Sequence, residues 1–154
     1  MKKIITSIIV FSLVFSTILF AGDEEEIIAH IEKREAYLSQ YKKYMKEISE
    51  EGTLEFWSSG GLMHQISGPG RTGVYDSINL TSKHIEVIVL VPGKAAVAMY
   101  YTEGTMKSKG SPSVDNYLTR VTQAFVKEDG EWKVRASHWS PLKGGSGTNQ
   151  TPKD

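Results

Sequence analysis

Cysteine is absent from all 154 residues. That removes disulfide bonds, a thiol nucleophile and any thiolate metal site, and it leaves no cysteine to carry a lipid anchor after the apolar amino-terminal run. Neither charge is in excess, with 18 Lys and Arg against 18 Asp and Glu. The chain therefore carries no electrostatic footprint for nucleic acid or for an acidic membrane surface. Histidine is scarce, at 4 residues. His64, His84 and His138 show no H-x-H or H-E-x-x-H spacing, so no metal and no other cofactor is expected. The glycine-rich stretches at 68–70 and 144–147 lack the strand-and-helix setting of a phosphate loop, and there is no serine-centred nucleophile elbow.

One long hydrophobic run is present, and only one. Met1-Lys2-Lys3 is a basic head, Ile4 to Phe20 is uncharged and mostly apolar, and Ala21-Gly22 precedes the acidic run from Asp23 to Glu26. This is the layout of a secretory leader over residues 1–21. Its Ser and Thr content and its small-residue exit favour cleavage over retention as an anchor helix. The expectation is an exported bacterial protein, periplasmic or secreted, with no membrane association once the leader is gone. An exported chain without disulfides must be stabilised by its core, and about 120 residues suffice for that. The carboxyl-terminal residues 143–154 are rich in Gly, Ser and Thr without periodicity and read as a flexible tail.

Between them lies one domain, residues 22–142. Ile27, Ile31, Leu38, Tyr41, Met45 and Ile48 recur at three-and-four spacing, which predicts a helix over 23–51 with Asp23 as N-cap and Gly52 as its stop. Arg34 falls on the same stripe, where an apolar residue would fit, so a bend or break is expected there. "TLEFW" reads as a short second helix and Leu62–Ser67 as a first strand, while "VYDSINLTS" is ambiguous. From His84 the β signal is strong on both sides of Pro92-Gly93, and again on both sides of Asp129-Gly130. Helices first and antiparallel strands after give an α+β domain with helices packed on one face of a curved sheet.

The last hairpin, Tyr117 to Leu142, sets polar side chains among apolar ones, and two turn registers are open. A two-residue Asp129-Gly130 turn pairs Glu128 with Glu131 and Phe125 with Val134. A three-residue turn pairs Lys127 with Glu131 and places Arg120 opposite His138. The second is preferred because it gathers Leu118, Ala124, Val126, Trp132, Val134 and Ala136 on one apolar face. Arg120, Thr122, His138 and Ser140 then converge at the far end of the buried face. A buried guanidinium needs a carboxylate, water or an anion beside it, so that end is expected to wall a pocket.

The pattern R-x-T-x-x-x-x-x-x-D-G-x-W-x-x-x-x-x-H-x-S, Arg120 to Ser140, resembles the closing hairpin of the nuclear transport factor 2-like superfamily. Within it, the SnoaL-like branch and the association domain of calcium/calmodulin-dependent kinase II are most similar, and the likeness spans residues 23–142. The resemblance implies a cone-shaped α+β barrel, a strongly curved antiparallel sheet wrapped on amino-terminal helices, with a cavity at the open end. It also implies a homodimer through the outer sheet face.

Members of that superfamily include enzymes and non-catalytic binders, so the site must decide. The first reading is a binder of a small, partly apolar molecule with an anionic or carbonyl group. Arg120 anchors that molecule, Tyr100 and Tyr117 supply walls or hydroxyls, and His64, Thr122, His138 and Ser140 complete the polar end. The alternatives are an enzyme of proton-transfer or hydration type using His138 as acid or base, and a dimeric assembly module without catalysis.

Overall fold

The computed structural model describes residues 22–68, 73–142, 144, 145 and 147. The expected leader lies outside the described residues, as does most of the expected tail. Leu142 is tied back to the sheet, its amide donating to Leu118 O at 3.1 Å.

A single helix, α1 (Asp23–Tyr41), opens the domain. Four acidic side chains in its first turn, Asp23 to Glu26, suit the positive end of the helix dipole. Gly22, not Asp23, holds the N-cap position. The Asp23 carboxylate accepts from the Gly93 amide at 2.6 Å instead. Ile27, Ile31, Arg34 and Leu38 form the buried stripe.

The helix is shorter than its periodicity predicts. Lys42 adopts a left-handed conformation with φ 58° and closes the last turn onto Leu38 O. The chain then runs extended, with Lys43 bridging Val74 and Ile48 bridging Val134. Ile48 is buried, as the stripe requires, but through the sheet and not through a helix. The expected short helix at "TLEFW" is instead a strand.

Six strands follow: β1 (Thr53–Phe56), β2 (His64–Ile66), β3 (Tyr75–Val91), β4 (Ala95–Ser108), β5 (Val114–Glu128) and β6 (Glu131–Pro141). They form one sheet in the order β2-β1-β6-β5-β4-β3. All neighbours are antiparallel except β1 and β6, which run parallel, so the sheet is mixed. It is open, with α1 lying across β3 on the inner face.

Three local devices bend it. β3 bulges at His84 and Ile85, with His84 at φ 53°. β4 shifts register between Gly104 and Met106, and β6 carries an extra residue, Arg135, opposite the Ala124–Phe125 step. Bulges of this kind raise the local twist and turn a flat sheet into a curved one. Gly104 has φ +144°, and a Cβ there would lie 2.0 Å from Asn79 O, so the close approach of β3 to β4 demands glycine. The concave side holds the core: Ile27 and Ile31 from the helix against Ala96, Ala98, Phe125 and Val134.

The last hairpin departs from the preferred register. Glu128 pairs with Glu131 and Phe125 with Val134. Asp129 and Gly130 both have positive φ, 50° and 80°, as a type I′ turn requires. Past the Arg135 bulge, Thr122 pairs with His138 and Arg120 with Ser140. Val121, Gln123 and Phe125 therefore point inward, and Arg120, Thr122 and His138 stand on the exposed face.

Candidate functional site

The interior holds the charged side chains that the sequence places elsewhere. Arg34 leaves the helix stripe at 3% exposure. Its Nη1 donates to the Tyr100 hydroxyl at 3.0 Å and to Gln123 Oε1 at 3.1 Å. Tyr100 in turn donates to the same Gln123 oxygen at 2.5 Å. Carboxylates of Glu35 and Glu47 stand 3.7 Å and 4.0 Å from the guanidinium, and the Trp139 ring lies 5.3 Å away. Burial alone would lower the Arg34 pKa, but Tyr100, Glu47 and Glu35 outweigh it, so the charge is held more firmly than usual. Burial pushes the Tyr100 phenol up to about 12, with Arg34 opposing.

Glu35 also reaches the sheet, where Oε2 accepts from the Ser82 amide at 2.8 Å and Oε1 accepts from the Ser82 hydroxyl. One helix turn before Arg34, His30 Nε2 sits 4.0 Å from Glu47 Oε2, beyond hydrogen-bond range. Desolvation, then Arg34, lowers its pKa to about 4, so the ring is neutral. Around this network the inner face carries further polar groups. The Tyr117 hydroxyl meets Ser58 Oγ at 3.3 Å, and burial pushes its pKa up. Thr53 and Ser137 are 1% and 5% exposed, and neither hydroxyl has a hydrogen-bond partner among the described residues.

Of the residues singled out from sequence, Tyr100 and Tyr117 face this interior. His64 is half-buried and stacked on Trp57, ring centroids 3.8 Å apart. The other four do not converge in a pocket. Arg120 is exposed and donates from Nε to Ser140 Oγ at 2.8 Å, while Ser140 is half-buried. Thr122 is exposed, and His138 is exposed with its ring edge-on to Phe56 at 5.5 Å. Two causes combine: on β5, Arg120 and Thr122 alternate with the inward Val121, Gln123 and Phe125, and on β6 the extra Arg135 turns His138 and Ser140 to that same outer face. Arg34 is the guanidinium that the interior holds. Its signal was the charge on an apolar stripe, which a helix break does not explain but a buried network does.

The outer face is as regular as the inner one. Cross-strand partners share a face, so the pairings define rows. One row is Ile88, Val97, Ala124, Ala136 and Leu54; the next is Glu86, Met99, Thr122, His138 and Phe56. Ile88, Met99, Phe56 and Tyr101 are 54%, 51%, 45% and 43% exposed. Beside them an open depression of about 420 Å³ is lined by residues that include Asn79, Glu103, Asp115 and Leu118. Among the described residues no three His, Asp or Glu side chains gather as a metal site.

No protein-family model and no curated protein matches the chain. Solved structures do. The association domain of calcium/calmodulin-dependent kinase II from C. elegans aligns with 76% of this chain and 94% of its own, at 13% identity and TM-score 0.52. A putative association domain of the same kind from Xanthomonas campestris covers 79% and 89%, at 16% identity and TM-score 0.52. One from Exiguobacterium sibiricum covers 76% and 91%, at 14% identity and TM-score 0.51. The chain has the fold of these domains, the nuclear transport factor 2-like fold. Likeness at this identity speaks for architecture and not for a branch within it.

Proposed function

We propose that the chain is an association module, exported from the cell, whose outer sheet face docks on a second copy of itself. The observation that carries this is the composition of that face. Two adjacent rows carry exposed Phe56, Ile88 and Met99 with half-buried Leu54 and Val97 on one outward face. An antiparallel sheet with one wet face normally alternates apolar with polar, and contiguous exposed apolar surface marks an interaction site. The similar structures are named as association domains, which agrees in direction. Analytical ultracentrifugation of the chain produced from its full-length gene is the test. The expected result is a dimer that Met99→Lys splits into folded monomers, and a wild-type monomer at tens of micromolar would end the proposal. Export rests on the leader pattern of residues 1–21 and is checked by sequencing the amino terminus of the mature protein.

A second reading is favoured by the interior. Unpartnered hydroxyls at Thr53 and Ser137 are costly unless something bonds them. A small, partly apolar molecule with an anionic or carbonyl group would bond the hydroxyl of Ser137, the strand partner of Gln123 in the Tyr100 network, with Arg34 in the role expected of Arg120. Native mass spectrometry decides it: a retained small molecule supports binding, and a bare chain mass under gentle conditions argues for water in its place. Proton-transfer chemistry at His138 is not favoured by its surroundings, since the ring is exposed, edge-on to Phe56 and across from Thr122 on the outer face.

A further inference from the structure

We infer that the outer face is self-complementary in charge, with Glu86 of one copy meeting Arg120 of the other. This rests on the association reading above and adds the contact that sets how the two copies lie. On this face the outward side chains of β4, Met99 and Tyr101, separate two charges of opposite sign. Glu86 stands on edge strand β3, is exposed, and has no ion-pair partner among the described residues. Arg120 stands on β5, exposed, with only its Nε engaged, on Ser140. Another cation of this edge is already balanced, because Lys83 lies 3.7 Å from Glu103. Glu86 is therefore the carboxylate left over on one side of β4 and Arg120 the guanidinium left over on the other.

A two-fold contact makes residue i touch j of the partner and j touch i. Face-to-face sheets related by an axis in the interface plane over β4 would lay β5 of one copy over β3 of the other. Met99 and Tyr101, both outward on β4, would then pack at the axis. Glu86 is paired with Met99, and Arg120 with Tyr101. The two charges thus lie on opposite sides of β4, one cross-strand row apart, within the span of an arginine side chain. Each dimer gains the pair twice, and the guanidinium fork suits the carboxylate. Placed at the rim of an apolar patch, such pairs fix orientation and exclude wrong partners more than they add affinity.

Charge swapping separates this inference from the reading beneath it. Glu86→Arg and Arg120→Glu each create like-charge contacts twice per dimer and should weaken association at least about tenfold. The double variant E86R/R120E should recover most of that loss. All are surface changes, and unchanged circular dichroism confirms folding. If the wild type is a dimer but the double variant only sums the two losses, or neither single change weakens it, the contact is wrong and the association reading stands. If the wild type is a monomer, both fall.

Discussion

Acidification should destabilise this protein through one largely desolvated ring. His30 is held neutral with a pKa near 4, against an ordinary 6.5, first by desolvation and then by the Arg34 charge. Below pH 6.5 the unfolded chain takes up a proton at this position, while the folded chain refuses it until about pH 4. Stability is therefore complete above 6.5 and is lost as the pH falls through that window. At about 1.4 kcal/mol per pKa unit, the full loss is about 3 kcal/mol. Between pH 7 and pH 5 it is about 2 kcal/mol, or roughly 8 °C in midpoint for a domain of this size. Urea melts at the two pH values, at one fixed protein concentration, measure it directly. His30→Gln keeps a neutral side chain and removes the titration, so its melts should lose most of the difference. A wild type equally stable at both pH values, or a Gln variant with the same drop, would refute the burial argument.

Two further perturbations probe the network and the bend. Arg34→Met strips the charge from a site where Tyr100, Gln123, Glu35 and Glu47 all face it, and should cost about 3–5 kcal/mol in urea melts; a loss under about 1 kcal/mol would mean the network contributes little. Gly104→Ala drives a Cβ to 2.0 Å from Asn79 O and should cost about 2 kcal/mol or more in thermal melts. Gly93→Ala, also at positive φ but with nothing within 4 Å, should cost only about 1 kcal/mol, and equal losses would show that strain and not the close approach of β3 governs Gly104.

The architecture was legible because most of its signals are local. Pro92-Gly93 and Asp129-Gly130 mark hairpins by turn chemistry alone, and the buried stripe Ile27, Ile31, Leu38 marks α1 by spacing alone. Where the reading failed, a long-range event overrode a local pattern. Met45 and Ile48 continue the helical spacing, but the chain leaves the helix at Lys42, and the Tyr75 amide then donates to Lys42 O at 2.8 Å. "TLEFW" becomes a strand because the β6 edge offers it a parallel partner, which no window of sequence contains. Arg34 was visible as a misfit on the stripe. What the stripe could not show is that Tyr100 and Gln123, more than sixty residues away, would be waiting for it.

The preferred hairpin register is wrong for a different reason, and that reason bears on function. Alternation identifies the buried side of a strand only when the other side is polar. Along β5, Val121 and Phe125 face in while Leu118, Ala124 and Val126 do not, so either register offers an apolar face. Along β6, Ala136 and Val134 split the same way across the bulge. A strand that is apolar on both sides is one that must be covered twice. The helix covers this sheet once, from within, and among the described residues no second helix lies over the outward rows from Leu54 to Ile88 and from Phe56 to Met99. The ambiguity that defeated the register is thus the trace of a second packing surface, and a partner for that surface is the simplest account of why the sequence carries it.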